Sequence, residues 1–331
     1  MTQAQAERPD GLLRITTERY GLGVLLVAVV AVFSTLPRTG DLFASHANFT
    51  VILGGEVPLC VIAIAFTLPL VVGQLDLSIA SIAGMASIAG TAAMSRFDQP
   101  LVVAILVAIL FGAAAGAFNG FLIAVLGLDC IIVTLAVMTV IAGLVQWYTD
   151  GISINTGVSA TLTDFGSLSW FGVPRIAFLL VLVVGLVWYV VEKTPFGRHL
   201  RMIGSNRTAA RLVGIPVVST TFAVFVLAGA LAGAGGMLLT ARSGGANPQE
   251  GPGLLLAALA AVYLGATTVQ PGKFNVAGTV VGVFFLALAV SGLTLAGVPP
   301  FVSQLFDGGA LLVAVVLSRF LGRNRVGTVG T

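Results

Sequence analysis

Two acidic residues interrupt long apolar stretches of this chain, and they are its first candidates for chemistry. Asp76 stands in TLPLVVGQLDLSIAS, shortly after Pro69 and Gly73. Glu56, followed by Pro58, marks a second irregular point upstream. Because proline removes a backbone donor and glycine loosens a helix, the apolar segment is expected to break near Asp76. A carboxylate in lipid is costly and usually faces a cavity or a partner, so Asp76 is either part of a polar route or the cap of the helix that follows.

A second candidate is the stretch FGRHLRMIGSNRTAARLVGI, which concentrates positive charge in a chain that has little of it. The chain has 16 lysines and arginines, and five of them are Lys193, Arg198, Arg201, Arg207 and Arg211. Pro195 and Gly197 are expected to end the apolar segment before it. Ser205 or Asn206 is expected to cap a short helix.

Gly214 and Pro216 are expected to end that short helix. Within it, RTAARLV combines arginines with the small residues Ala209 and Ala210. The pattern predicts a surface helix with a basic side and a small-residue side. Such a helix could anchor to anionic lipid headgroups. It could also dock on a cytosolic partner, because small residues permit close backbone approach.

The composition indicates a membrane protein. Hydrophobic residues make up 57% of the chain and charged residues 9%, whereas charged residues are about 25% of ordinary soluble domains. The net charge of +3 fits loops held on the cytoplasmic side and gives no indication of nucleic-acid binding. Cys60 and Cys130 stand in apolar surroundings and are expected to be small buried hydrophobes. His46 and His199 are far apart, are expected in loops, and predict no metal site.

No enzymatic signature is present in the sequence. Gly272 and Lys273 are followed by Phe274 rather than Ser or Thr, so there is no Walker motif. If nucleotide energy drives this protein, another chain has to bind the nucleotide.

The apolar segments predict an all-α polytopic membrane protein with about ten transmembrane helices, some of them broken. The segments are 20–36, 50–72, 77–94, 101–126, 130–148, 176–192, 217–240, 254–268, 275–296 and 301–320. The eighth is short and could be a partial span. The first is expected to be a retained anchor rather than a cleaved signal peptide.

Charge predicts the orientation of these segments, with both termini in the cytoplasm. The inside then holds Arg8, Arg14, Arg19, Lys193, Arg198, Arg201, Arg207, Arg211, Lys273, Arg319, Arg323 and Arg325. The outside holds Arg38, Arg96, Arg175 and Arg242. The predicted outer loops 149–174 and 242–253 are long enough to carry short helices.

The predicted domain organisation is a cytoplasmic segment at 1–19, a single transmembrane domain at 20–321 and a cytoplasmic tail at 322–331. Glycines spaced four apart in G112AAAG116, with Gly120, and in G229ALAG233 predict close helix packing. Asn119 is the polar exception there and could face a polar route.

Four stretches resemble the permease subunits of bacterial ABC sugar importers of the ribose/xylose/arabinose type. They are VGQLDLSIAS, GAAAGAFNGFLI followed by CIIVTLAVMTVIAGL, TPFGRHLRMIGSNRTAARLVGI, and LLLAALAAVYLGATTVQPGKFNVAGTVVG. Together they cover most of residues 50–320, and the third is the most specific.

The chain also departs from the family pattern. Gly73, Gln74 and Leu75 stand where the family commonly has two glycines and an isoleucine. In the late segment, Leu256 and the pairs 265–266 and 267–268 replace an acidic residue, a double glycine and Thr-Ser. These changes leave the sugar open.

The resemblance implies a permease that moves a monosaccharide across the bacterial inner membrane. Its implied partners are a second permease subunit, a cytosolic ATP-binding subunit and a periplasmic or lipid-anchored sugar-binding protein. ATP and Mg would be bound by the ATPase, with no cofactor in this chain. The implied substrate route contains Glu56, Gln74, Asp76, Ser78, Asn119 and Thr134.

The resemblance also implies that segment 193–216 contains the helix that rests on the ATPase. The implied coupling residues are Gly197, Arg198, Gly204, Asn206, Arg207, Ala209, Ala210 and Gly214. The alternative function is an ion-coupled secondary transporter that acts without an ATPase, since that class uses broken spans with carboxylates. Against it, the basic stretch has docking character and lies far from either acid. A channel has less support, because no ring-forming polar motif is visible.

Overall fold

A computed structural model describes residues 9–299 and 301–326 of the chain. Arg8 and the second half of the predicted tail, residues 327–331, lie outside the described residues, together with the start of the segment 1–19. The helices of the first half are α1 Pro9–Thr35, α2 Gly40–Phe43, α3 His46–Gly55, α4 Val57–Val71, α5 Ile79–Ser95, α6 Leu101–Gly120 and α7 Cys130–Thr149. A π-helical turn, Phe121–Val125, continues α6.

The second half contains the remaining helices and a two-stranded hairpin. The helices are α8 Ala160–Ser167, α9 Arg175–Lys193, α10 Pro195–Ser205, α11 Arg207–Leu212, α12 Val217–Ser243, α13 Glu250–Gly253, α14 Leu255–Gly265, α15 Val276–Leu295 and α16 Phe301–Val326. The hairpin strands are β1 Ser169–Trp170 and β2 Val173–Pro174, which pair antiparallel. His46 begins α3 and His199 lies in α10, so the expectation that both histidines are in loops is wrong.

Six of the helical stretches in the described residues are long and apolar enough to cross a membrane. They are His46–Val71, Leu101–Val125, Cys130–Thr149, Arg175–Lys193, Val217–Ser243 and Val276–Leu295. Shorter apolar helices are Tyr20–Thr35, Ile79–Ser95, Glu250–Gly265 and Gln304–Leu317. The protein is therefore an all-α polytopic membrane protein, as the composition predicted.

The predicted interruption between α4 and α5 is confirmed, and glycine sets its position. Pro69 remains inside the last turn of α4. The N–H of Gly73 donates to the carbonyl of Leu70, and the N–H of Gln74 donates to the carbonyl of Pro69. This is the Schellman pattern of a helix end, and it needs the left-handed backbone that Gly73 adopts at φ +77°. The upstream irregularity is also present, since Glu56 separates α3 from α4.

The core is centred on α4 and α12. Nearly every residue of α4 between Val57 and Leu70 is buried, including Phe66. Helix α12 packs against α4, α5 and α6. Its contact with α6 uses the glycines that the sequence singled out, because a Cβ on Gly112 or Gly116 would overlap backbone atoms of Gly229 and Phe225. Cys60 and Cys130 are free and buried, as predicted.

The basic stretch forms two helices rather than one. The hydroxyl of Thr194 accepts the N–H of Gly197, and Pro195 occupies the first turn of α10. Pro195 and Gly197 thus begin a helix, whereas the sequence suggested that they only end the one before. Proline is favoured at the start of a helix because its missing N–H needs no partner there. The one short helix that the sequence predicted is α11, and α10 was not predicted.

The two long loops, 149–174 and 242–253, carry short structure, as their length suggested. The first contains α8 and the hairpin, and the second contains α13. Ile154 and Ala246 join the two loops through reciprocal backbone hydrogen bonds of 3.0 Å each. Arg242 adds a bond of 2.9 Å from its guanidinium to the carbonyl of Gly166. These contacts tie the loops together at one end of the helix bundle.

Candidate functional site

The first site is a buried polar cluster at the interruption between α4 and α5. Asp76 is 1% exposed and is held by the residue that precedes α5. Its Oδ1 accepts the backbone N–H of Ser78 at 2.9 Å and the hydroxyl of Ser78 at 2.6 Å. The carboxylate therefore satisfies the backbone N–H of Ser78, the N-cap residue of α5, so Asp76 stabilises the entry to this helix without being its cap.

Asn119 connects this carboxylate to the end of α6. Its Nδ2 donates to the hydroxyl of Ser78 at 2.8 Å and, more weakly, to Oδ2 of Asp76 at 3.4 Å. The side chain is fully buried, and its Oδ1 has no hydrogen-bond partner among the described residues. The amide thus joins α5 and α6 through one side chain.

Thr134 and Cys130 connect the same interruption to the start of α7. The hydroxyl of Thr134 accepts the N–H of Leu77 at 3.2 Å and donates to the carbonyl of Cys130 at 2.8 Å. The thiol of Cys130 donates to the carbonyl of Leu75 at 3.2 Å. The backbone groups that a broken helix leaves unpaired are in this way satisfied by α7.

The structure brings four of the six predicted route residues together and leaves two apart. Asp76, Ser78, Asn119 and Thr134 form the cluster, which we call the break cluster. Gln74 lies in the same interruption but is half-buried. Glu56 is half-buried at the separate junction of α3 and α4.

The chemistry of the break cluster is that of a clamp. Ser78 and Asn119 bond to the carboxylate of Asp76, and the hydroxyl of Thr134 and the thiol of Cys130 bond to the adjoining backbone. Because buried polar groups are costly when unpaired, such a network holds three helix ends in one arrangement. The contacts hold the ends of α5, α6 and α7 together around the unwound residues.

The second site is the pair α10 and α11. Asn206 accepts the N–H of Ala209 at 2.9 Å and so caps α11, which selects it over Ser205. After α11 the N–H of Ile215 donates to the carbonyl of Ala210, and Gly214 adopts φ +84°. Three residues of α11 are at least partly exposed, namely Arg207, Ala209 and Arg211. Gly214 follows the end of α11, as predicted.

Helix α10 lies directly against the end of α4. A Cβ on Gly204 would overlap the carbonyl oxygen of Val71, and it would approach Val72 to 3.4 Å. Only glycine permits this approach. Val71 is the last residue of α4, so the basic stretch contacts the helix that leads into the break cluster.

A polar group next to this contact joins α9, α10 and the loop before α15. Arg201 on α10 donates to Glu192 at 2.9 Å, and the two side chains are 32% and 15% exposed. Gln270, in the loop, lies 3.4 Å from both carboxylate oxygens of Glu192. These three residues, which we call the Glu192 group, line a cavity of about 490 Å³ together with Gly204 and Lys273.

The sequence pointed to Arg201 as part of a basic stretch but missed Glu192 and Gln270 as its partners. Glu192 is an acid in the last turn of an otherwise apolar span, which is an available signal because such residues usually pair. Gln270 carries no comparable signal, since its contact spans 78 positions of sequence.

The comparisons with known proteins agree with one another. Residues 49–316 match the family described as branched-chain amino acid transport system / permease component. The ribose import permease RbsC of Escherichia coli K12 is 31% identical over 300 residues, which cover 89% of this chain and 91% of the relative. RbsC of Bacillus subtilis is 36% identical over 259 residues, or 78% and 80% of the two chains.

A third relative extends along almost the whole chain. The L-arabinose ABC transporter permease AraH of Azospirillum brasilense is 29% identical over 330 residues, covering 98% of this chain and 96% of the relative. No solved structure matches this chain. The chain therefore belongs to this family of permease components, and it is a multi-pass inner-membrane transport component rather than an enzyme.

Proposed function

We propose that this chain is the membrane-spanning permease of an ABC importer that carries a monosaccharide into the cell. The relatives named for ribose and L-arabinose support a pentose or a related sugar as the cargo. The single observation that carries the proposal is the glycine contact between α10 and α4. It gives a docking segment a direct mechanical connection to the interior of the membrane domain.

Ten membrane crossings with both termini in the cytoplasm follow from the same proposal. Six long and four shorter apolar helices are available among the described residues. The contacts support the alternation of successive connections between the two ends of the bundle. Gly157 lies against Ser95, and Gly172 against His46, at the end where the two long loops meet. Gly204 lies against Val71 at the other end.

The partners of the proposed importer are a cytosolic ATPase, a second permease subunit and a sugar-binding protein outside the membrane. The ATPase would bind ATP and Mg and would contact α10 and α11. Exposed Leu212 and Val213, beside the arginines, offer it an apolar patch with a positive rim. A movement of α10 would reach α4 through Gly204 and Val71, and from there the break cluster.

The proposed substrate route is the polar set named from the sequence. Gln74 and Glu56 are the members that remain half-buried and outside the break cluster. A sugar needs hydrogen-bond partners along its route and must also be released, so modestly polar and accessible side chains suit it. We assign these two a greater role in the route than the clamped residues.

A tagged pull-down from the native membrane in mild detergent tests the partners. We expect an ATPase subunit in stoichiometric amount, and loss of ribose or arabinose uptake in cells that lack this chain. A chain that is recovered alone and drives uptake under an ion gradient after reconstitution is instead a secondary transporter.

A matched pair of substitutions tests the docking role. Ala209 and Ala160 are both exposed alanines in short helices, at opposite ends of the molecule. Ala209→Leu is expected to lower sugar uptake and recovery of the ATPase, while Ala160→Leu leaves both unchanged. Equal behaviour of the two variants contradicts the docking role of α11.

A second matched pair tests the orientation. Thr156 and Ser205 are exposed hydroxyl residues, and both natural cysteines are buried. In intact cells without an outer membrane, a membrane-impermeant maleimide is expected to label Thr156→Cys and to spare Ser205→Cys. The reverse labelling inverts the proposed orientation.

A further inference from the structure

The hairpin before α9 presents aromatic side chains outward, which is unusual for a tight turn. Phe171 and Gly172 connect β1 and β2 and both have positive φ, +52° and +81°. This is the backbone of a type I′ turn, which asparagine and glycine normally supply. A bulky residue there is strained. The fold thus holds the ring of Phe171 at 104% exposure.

The other side of the hairpin is fixed to the protein. Pro174 is buried and its Cβ lies 3.2 Å from the point where a Cβ on Gly54 would stand. A Cβ on Gly172 would lie 2.9 Å from Nε2 of His46. With this face packed against α3, the aromatic face has no room to turn inward.

The aromatic face continues the lipid-facing side of a membrane helix. The ring of Trp170 lies 6.0 Å from the ring of Phe178, in the first turn of α9. Phe178 is 47% exposed, and Val181 and Leu182 beyond it are also exposed. Since α9 is one of the long apolar spans, these side chains face lipid. Trp170 and Phe171 extend that surface past the end of the helix.

A positive charge lies beside the aromatic rings. The guanidinium of Arg175, the first residue of α9, is 5.2 Å from the Trp170 ring. Its Nε has no hydrogen-bond partner among the described residues, and no acid of that part of the chain forms an ion pair with it. Tryptophan with arginine at a span boundary is the combination found where a protein meets phospholipid headgroups.

We propose that residues 168–175, the aromatic hairpin, bind phospholipid at the outward-facing surface of the membrane. Trp170 and Phe171 lie at the boundary between headgroups and acyl chains, and Arg175 binds a headgroup phosphate. The contact fixes the first turn of α9, whose other end carries Glu192 and leads into α10. The choice of the outward-facing leaflet rests on the orientation proposed above, whereas the lipid contact does not.

Tryptophan fluorescence in nanodiscs tests the depth of the hairpin. The chain has three tryptophans, so Trp147→Phe with Trp188→Phe leaves Trp170 alone. With phosphatidylcholine brominated close to the headgroup, Trp170 is expected to lose most of its emission, and aqueous iodide is expected to quench it weakly. Strong iodide quenching with no effect of the brominated lipid overturns the proposal.

Two single substitutions in this background test whether the lipid contact is specific to the hairpin. Phe171→Ser is expected to lower the quenching by brominated lipid and to raise the quenching by iodide. Phe97→Ser, at an exposed phenylalanine in another loop at the same end, is expected to leave both unchanged. If both variants behave alike, the hairpin makes no specific lipid contact.

Arg175→Gln tests the phosphate contact. The variant is expected to shift the emission maximum of Trp170. Quenching by brominated lipid is expected to differ between nanodiscs of phosphatidylglycerol and nanodiscs of an uncharged glycolipid, and the variant is expected to abolish this difference. An unchanged difference removes Arg175 from the proposal. If iodide quenching of Trp170 falls only when a sugar-binding protein is added, the surface belongs to that protein. None of these readings needs ATP or sugar transport, so they stand apart from the test of the importer.

Discussion

Two polar groups lie near the same end of the bundle, and they are built differently. The break cluster around Asp76 is almost fully buried, and Asp76, Ser78 and Asn119 hydrogen-bond to one another. The Glu192 group is partly exposed and lines a cavity. Val71 and Gly204 line the same cavity as the Glu192 group, and Val71 ends the helix that leads into the break cluster. The difference indicates that one polar group holds helices together, while the other lies where helices and loops can change their separation.

The largest expected effect is on the break cluster. Asp76→Ala removes the acceptor of the Ser78 N–H, the Ser78 hydroxyl and one Asn119 hydrogen. Because each buried unsatisfied donor costs about 1–3 kcal/mol, a loss of at least about 3 kcal/mol of stability is expected. Thermal unfolding of the purified protein in detergent measures it.

Two controls sharpen this prediction. Asp164→Ala, at an exposed aspartate of α8, is expected to leave the unfolding temperature unchanged. Asp76→Asn keeps one acceptor oxygen and is expected to cost less than Asp76→Ala. A stable Asp76→Ala variant with impaired transport alone would show that the cluster is not a clamp.

The next largest effect is expected where Gly204 of α10 contacts Val71 of α4. Gly204→Ala places a methyl group on the carbonyl of Val71, which forces α10 away from α4. Overpacking of this kind costs about 1–3 kcal/mol. Sugar uptake is expected to fall further than stability, because α10 is the proposed link to the ATPase. Uptake and unfolding temperature are compared in the same preparation.

Gly185 provides the matched control for this substitution. It lies within α9 and has no atom within 4 Å of its potential Cβ. Gly185→Ala is expected to leave uptake unchanged and to stabilise α9 slightly, as alanine does in a helix interior. Equal uptake in both variants means that Gly204 has no part in coupling.

The smallest effect on stability is expected in the Glu192 group. Glu192→Gln, Arg201→Gln and the double variant form a cycle whose interaction energy is expected to be about 1 kcal/mol or less, since the pair is partly exposed. Uptake is expected to change more than the unfolding temperature. An interaction energy comparable to the Asp76 effect would remove the contrast between the two groups.

At the other end of the bundle, the sequence predicted that the loop carrying the aromatic hairpin has local structure, but it did not predict the turn. The length of loop 149–174 predicted local structure, but nothing in SLSWFGVP predicted a turn with phenylalanine in the left-handed region. That conformation depends on packing against His46 and Gly54, which are distant in sequence. Local propensity favours other residues there, and the tertiary contacts override it.

The candidate site shows the same division. The sequence supplied Asp76 with an open choice between a polar route and a capping role, and it named Ser78, Asn119 and Thr134 as candidates for the route. It could not say that they meet, because their contacts cross 41 to 57 positions of the chain. The sequence correctly placed the end of the sixth span before Pro195 but missed that Pro195 also begins α10. The same residue can end one helix and begin the next, and the hydrogen bond of Thr194 decides between them.

The sequence by itself determined the membrane class, the apolar segments, the glycine spacing that permits close helix packing and the capped helix α11. These depend on composition and short-range spacing, which act within one or two helical turns. Only the tertiary structure decided that Asp76 is clamped, that Glu192 pairs with Arg201 and Gln270, and that Gly204 lies against Val71. Burial and pairing depend on which surfaces meet, and that is a property of the packed chain.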